Sequence, residues 1–269
     1  MALSTASSFL FVPADRPERF PKALQSGAQA VILDLEDAIA PENKHRAREA
    51  ISQCYRREKN VMVRINGVGT PWHDEDIQLC KQIEVAGIMV PKAESARVLQ
   101  VLVSHLKTDI ALFPLIETAA GMADARDIAQ APQVERLVFG TLDFQLDLHI
   151  EDDDEGLLHF RSHLVLASRL AGLNGPIDGV TTDFNNASQT ERDTARAKRL
   201  GFSGKLCIHP RQVSVVNQGF LPTDAELKWA LQIVQGATSN SAVAVGEQMV
   251  DRPVLLRARR ILERGKHET

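Results

Sequence analysis

One feature constrains this chain more than any other: a short apolar, β-rich run that keeps returning. It occurs at residues 9–13 (FLFVP), 30–35 (AVILDL), 61–65 (VMVRI), 86–90 (AGIMV), 110–116, 137–140, 176–180 and 205–208, and a helical pattern follows each. The runs are apolar on both faces, as parallel strands buried under helices should be. Their spacing is mostly about 20–30 residues, the length a strand–helix crossover needs. Eight such units in sequence predict an α/β fold, a (β/α)8 TIM barrel, because a doubly wound sheet seldom needs eight without hairpins.

The barrel accounts for residues 1–220. Residues 221–269 are then a C-terminal extension that packs on the barrel or on a neighbouring subunit. Within it a helix is expected from Thr223, a short strand or hairpin over 243–250, and a last helix capped by Asp251 with Pro253 near its start. Pro41 is suited to the first helical position of PENKHRAREAISQCYRR.

Composition excludes several function classes. With 269 residues, 44% of them apolar and 25% charged, the chain is long enough for a full core and ordinary for a globular protein. A net charge of −4 without a basic block argues against a nucleic-acid face. No run approaches the roughly 20 apolar residues of a membrane span, and no basic leader precedes the first apolar run, so no signal peptide is expected. Three dispersed cysteines (Cys54, Cys80 and Cys207) without a CxxC pair predict a reducing, cytoplasmic setting.

Chemistry in a parallel barrel gathers at the carboxyl ends of the strands. The polar residues there are Asp15 and Arg16; Asp34, Glu36 and Asp37; Arg64 and Asn66; Lys92; Glu117 and Thr118; Asp143; Asp178 and Asp183; and His209. Many acids around one arginine are costly without a bound cation. Glu117 and Asp143 each follow a fully apolar strand in adjacent units, and paired oxygen ligands suit a hard divalent cation. No HxH or HExxH spacing supports zinc. The cluster Asp34–Asp37 either holds metal-bound waters as an outer ring or caps the helix that follows. A guanidinium inside the strand VMVRI wants a carboxylate or phosphate, so Arg64 either grips an acidic substrate or pairs with a barrel acid; substrate is favoured.

Arg16, Arg19 and Lys22 could collect phosphates at a helix start, though a solvated face explains them as well. His209 is expected to be a packed, hydrogen-bonded histidine, with a catalytic role as the lesser alternative; Cys207 is expected in the core, and Asp152–Glu155 as a solvated loop tip. Lys92 could form a Schiff base, with no second feature in support.

Taken together, FLFVPADRPERF, VILDLEDAIAPENK, VRINGVGTPW, MVPKAESA, PLIETAAGM, FGTLDF, GKLCIHPRQVSVVN and GEQMVDRPV resemble, in order and almost end to end, the citrate lyase β-subunit-like branch of the HpcH/HpaI aldolase superfamily. The resemblance implies a barrel enzyme that uses Mg2+ to cleave or form 3-hydroxyacyl-CoA thioesters such as citryl-, malyl- or citramalyl-CoA, giving acetyl-CoA and a 2-oxo acid. It implies Glu117 and Asp143 as Mg2+ ligands, Arg64 as the contact for substrate carboxylate and carbonyl, and Glu36 and Asp37 beside the metal waters. It places Arg16 and Lys22 at the CoA phosphates. Asp251 matches an acid that related malyl-CoA lyases supply from a neighbouring subunit, so Asp251 and Asp37 are candidates for the proton steps in a homo-oligomer, a trimer or hexamer. Two stretches depart from the pattern: QLDLHI carries His149 where the family has Gly, and TTDFNNASQ is variable. The readings that compete are a thioester hydrolase, a class II aldolase acting on free 2-oxo acids, and a non-catalytic or complex-bound citrate lyase β subunit.

Overall fold

The computed structural model describes residues 3–56, 58–106, 110–236, 243–245 and 248–266. Eight parallel strands close into a barrel: β1 (Ser8–Pro13), β2 (Ala30–Asp34), β3 (Val61–Arg64), β4 (Gly87–Val90), β5 (Ala111–Ile116), β6 (Val138–Phe139), β7 (Ile177–Asp178) and β8 (Gly204–Cys207). Each pairs with its neighbour in sequence, and β8 closes on β1 with Phe9 opposite Leu206. The fold is a TIM barrel, as the recurring runs predict. β2 to β7 are shorter than those runs, most of all β6 and β7 at two residues each.

Strand alternation divides the apolar residues into two layers. Phe9, Ile32, Met62, Met89, Phe113, Leu115, Val138, Ile177 and Leu206 fill the lumen, with the Phe9 and Phe113 rings 6.1 Å apart. Their sequence neighbours, including Leu10, Val31, Val63 and Ile88, are buried on the other side of the strands. The runs are apolar throughout because each must satisfy both layers.

The helices that matter for the mouth are Lys44–Cys54, entered through a Pro41–Asn43 turn with Pro41 at its start, and His73–Ile83. After β6 a single residue, Gly140, leads into a helix, Thr141–Leu148. Thr141 and Phe144 bury one side of it, and Phe144 meets Phe139 and Phe160 edge-on.

The chain divides into two compact units, residues 1–217 and 218–269. The second contains the Asp224–Gly236 helix, an antiparallel pair β9 (Val243–Val245) and β10 (Gln248–Val250), and the Arg252–Lys266 helix. The turn of the expected hairpin, residues 246–247, lies outside the described residues. Ala230, Ile233, Val250, Leu255 and Ala258 form this unit's own core. Asp251 Oδ1 accepts from the Val254 amide at 3.1 Å and caps the last helix. Among the described residues no helix is long and apolar enough to cross a membrane.

Candidate active site

The lumen core ends in a polar layer at the carboxyl ends of the strands. Ile32, Met62 and Leu115 face inward, and the two-residue period puts Asp34, Arg64 and Glu117 on the same side one layer nearer the mouth. Phe11 lies beneath, with the Arg64 guanidinium 4.8 Å from its ring centroid. Phe11, Asp34, Arg64, Leu115 and Glu117 line a cavity of about 340 Å³ together with Asp37, Phe139, Gly140, Asp143 and Ile208. Arg64, Asp37, Glu117 and Asp143, all expected at the site, therefore meet in one place.

Arg64 is gripped by acids. Its Nε and Nη2 donate to the two oxygens of Asp34, both at 2.7 Å, the bidentate geometry that guanidinium and carboxylate share. Its Nη1 lies 3.0 Å from Glu36 Oε2 and 3.8 Å from Asp37 Oδ2. The ion pair weighed against substrate binding is thus present. Glu36 Oε2 is buried yet out of line for a hydrogen bond, so charge alone compensates it. Burial raises the Glu36 carboxyl, and Arg64 opposes that rise.

Glu117 is almost wholly buried. Burial, with Glu36 and Asp143 nearby, pushes its carboxyl up to about 8, although the Lys92 amide donates to Oε1 at 2.8 Å. Lys92 reaches that position in the left-handed region (φ 46°), which is uncommon outside glycine. Its Nζ pairs with Glu36 Oε1 at 3.2 Å, and that acid holds the amine above its ordinary range. A Schiff-base role is therefore disfavoured, since it needs an amine that gives up its proton readily. A Cβ on Gly140 would stand 2.6 Å from Glu117 Cβ and 2.7 Å from Oε2, so the glycine of FGTLDF is what lets Glu117 sit there.

Five carboxylates (Asp34, Glu36, Asp37, Glu117 and Asp143) gather around the mouth with the cations Arg64, Lys92 and Lys44. With every acid ionised these carry two more negative charges than positive ones, an excess that one divalent cation would close. Among the described residues no group of three or more His, Cys, Asp or Glu forms a ready-made metal cage. A magnesium ion does not need one, since it commonly binds one or two carboxylates and completes its shell with water and substrate. The oxygen donors of Glu117 and Asp143, one of them buried and charge-frustrated, fit such an ion, and no His or Cys lines the cavity to favour zinc.

Other expected residues lie elsewhere. Arg16 is exposed with Nε 3.8 Å from Asp15, and neither it nor the exposed Lys22 lines the cavity. Asp251 belongs to the second unit. Asp178, grouped with the strand-end acids, is fully buried against Arg161 (Nε to Oδ1, 3.1 Å) and not in the cavity. The solvated tip expected at Asp152–Glu155 is corrected in part: Asp153 binds Arg161 at 2.9 Å and Arg196 at 2.6 Å, because both guanidinia rise beside it. His209 is packed as expected, stacked on Phe184 at 4.8 Å with Nδ1 accepting from the Arg211 amide, and Cys207 is core. Sequence reasoning missed Lys44, Asp76, Arg136 and Arg161. For Lys44, Asp76 and Arg161 the signal was there only as charges within otherwise amphipathic helices, and Arg136 lies in the loop before β6.

A TIM barrel with an acid–arginine constellation at its carboxyl face defines a class of barrel proteins with a charged site at the strand ends, and comparison with known proteins narrows that class to a family. The HpcH/HpaI aldolase/citrate lyase family profile matches residues 7–210, and a second, for C–C bond lyases of the TIM-barrel fold, matches residues 171–267. The chain belongs to the HpcH/HpaI aldolase/citrate lyase family. It is 33% identical over 273 residues to a citrate lyase subunit beta-like protein of Deinococcus radiodurans, covering 95% of each chain. It is also 33% identical over 230 residues to a (3S)-malyl-CoA thioesterase of Cereibacter sphaeroides, covering 83% of this chain and 80% of that one. The crystal structure of Mycobacterium tuberculosis CitE in complex with magnesium, acetoacetate and coenzyme A superposes with a TM-score of 0.88 at 33% identity, over 98% of this chain and 99% of that one.

Proposed function

We propose that this protein is a Mg2+-dependent carbon–carbon lyase that cleaves a 3-carboxylated 3-hydroxyacyl-CoA, of the citryl, citramalyl or malyl type, into acetyl-CoA and a 2-oxo acid. The observation that carries the reading is the meeting of Arg64, Glu117 and Asp143 in one acid-rich cavity. Glu117 and Asp143 would hold the Mg2+, whose Lewis acidity would polarise the oxygen that becomes the product carbonyl.

The chain's own residues do the rest. Asp34 fixes the Arg64 fork, and fixed donors aimed at developing charge are the largest usual contribution to such catalysis. Arg64 then stabilises the substrate carboxylate and the new carbonyl oxygen. A base removes the proton of the 3-hydroxyl, the C2–C3 bond breaks, and its electron pair passes to the thioester as an enolate that takes a proton at carbon. Asp37, more than half exposed and bordering the cavity, and Asp251 from a second copy of the chain are the groups for these proton steps. Arg16 and Lys22 would meet the CoA phosphates. This reading carries with it a homo-oligomer, a trimer or hexamer, working in the cytoplasm.

The malyl-CoA thioesterase relative favours one second reading, hydrolysis of the thioester. The test is a panel of citryl-, citramalyl- and malyl-CoA incubated with Mg2+. Lyase action yields acetyl-CoA and an oxo acid; hydrolysis yields free CoA. Glu117→Ala should abolish the Mg2+-dependent lyase turnover, and full activity in that variant would sink the assignment. Turnover of free 2-oxo-acid adducts without CoA would point to a class II aldolase. Activity only with an acyl-carrier partner would point to a citrate lyase β subunit.

A further inference from the structure

One of the cations at the mouth, Lys44, also anchors a buried network behind the acid cluster that the proposed chemistry does not use. Lys44, in the first turn of its helix, is only 4% exposed. Its Nζ donates to Leu35 O, Glu36 O and Asn66 Oδ1, each at 2.7 Å, which uses all three ammonium protons. Asn66 in turn donates through Nδ2 to Leu35 O (3.0 Å) and to Asp76 Oδ2 (2.6 Å), and through its amide to the same Asp76 oxygen (2.8 Å). Asp76 is fully buried, and Arg48 Nη1 donates to its other oxygen at 3.1 Å. Four segments are tied here: the loops after β2 and β3, and the helices that follow them.

The ammonium binds peptide carbonyls of the two residues that separate Asp34 from Asp37. It is therefore a clamp on the backbone that carries Glu36, and Glu36 in turn meets both Arg64 and Lys92. A surface lysine placed for solubility would not have three short acceptors, nor would packing alone require a charge at this point.

We propose that Lys44, with Asn66 as its relay to Asp76, is a positioning residue that holds the Asp34–Asp37 loop and so aims Arg64 at the substrate. The proposal deepens the lyase reading and rests on it for its kinetic test. Loss of the clamp lets the Glu36 carboxylate and the Arg64 fork drift, and outer-ring partners of this kind typically change function about 10–100-fold.

The test uses the full chain with Mg2+ and three variants: Lys44→Met, Lys44→Arg and Asn66→Ala. Lys44→Met should lower kcat about 10–100-fold with KM for the thioester within about threefold, measured well below the melting temperature and normalised to folded protein. Lys44→Arg should recover most of the lost melting temperature, since it keeps the charge, but not kcat, since a planar fork cannot reproduce three converging bonds. Asn66→Ala, which leaves Lys44 two acceptors, should show the same kcat-selective loss more weakly, and it carries the test if Lys44→Met does not fold. Calorimetric titration with pyruvate and Mg2+ gives a readout apart from turnover: affinity should weaken several-fold in Lys44→Met. A variant with a lower melting temperature but unchanged kcat and pyruvate affinity would overturn the positioning role, as would full recovery of kcat by Lys44→Arg. If the wild-type chain cleaves no thioester, the lyase reading fails and the pyruvate titration alone decides the clamp; no wild-type pyruvate binding would overturn both.

Discussion

Two arginines close the two ends of the barrel lumen, and they are held in opposite ways. Arg136 sits at the amino-terminal floor, wholly buried and 5.4 Å above the Phe9 ring. Its donors go to neutral acceptors: Ala6 O at 2.6 Å, Gly175 O at 3.0 Å and Ser203 Oγ at 2.9 Å. Arg64 sits at the carboxyl-terminal mouth, and its partners are Asp34, Glu36 and Asp37. Burial makes Arg136 less basic than usual, whereas the acids around Arg64 make it more so. The floor is a plug whose dipoles are satisfied from within. The mouth carries more negative charge than its cations match, and that excess is what a bound cation and substrate complete.

The comparison breaks first at Arg64. Arg64→Lys keeps a charge beside Asp34 but loses the bidentate fork, so turnover should fall about 10²–10³-fold with little change in melting temperature. Paired steady-state kinetics and thermal unfolding give the answer, and an equal fall in both would place Arg64 with the structural arginines.

Arg136 should behave in reverse. Arg136→Met strands the Ala6 carbonyl and loosens the closure between the starts of β6, β7 and β8, costing about 2–3 kcal/mol of stability. For a barrel of this size that lowers the melting temperature by roughly 4–12 °C. The kcat of the folded fraction should stay at the wild-type value. A kcat that fell along with the melting temperature would mean that floor and mouth are not separate.

This asymmetry also accounts for what could be read in advance. The barrel was legible because eight apolar runs recur with the spacing of strand–helix crossovers, and the site followed because strand ends are where a barrel puts its polar layer. Glu117 and Asp143 stood out as single acids after unbroken apolar strands. Lys44, Asp76 and Arg161 did not, because a charge on an amphipathic helix looks the same whether it faces solvent or reaches into a buried network. Arg136 was hidden for a related reason: it precedes a strand, and nothing local says that Ala6 and Ser203, both more than sixty residues away in sequence, supply its acceptors. Asp178 misled in the other direction, since a strand-end acid can turn outward to Arg161. Long-range electrostatic pairing leaves no periodic trace.

The smallest expected effect bears on the mouth's unmatched charge directly. Without a cation, the Glu117 carboxyl is held up at about 8 by burial and by its acidic neighbours, against 4.5 for an ordinary glutamate. Between those values the unfolded chain has lost this proton and the folded one keeps it, so Glu117 lowers metal-free stability progressively as pH rises from about 4.5 to about 8. Below 4.5 both states hold the proton, above 8 neither does, and the dependence vanishes. A Mg2+ ion that binds Glu117 must displace the same proton, so its apparent affinity should rise about tenfold per pH unit up to about pH 8 and then level off. Calorimetric Mg2+ titrations at pH 6, 7, 8 and 9, in two buffers of different ionisation enthalpy, would register close to one proton released per ion at pH 6–7. Glu117→Gln should bind weakly and without that slope. Arg136→Met should keep the slope intact, because the floor lies at the opposite end of the lumen from Glu117 and its acceptors are neutral. An affinity flat from pH 6 to pH 8 in the unaltered chain would mean that Glu117 is already ionised without a metal, and that burial beside its acidic neighbours does not hold its proton.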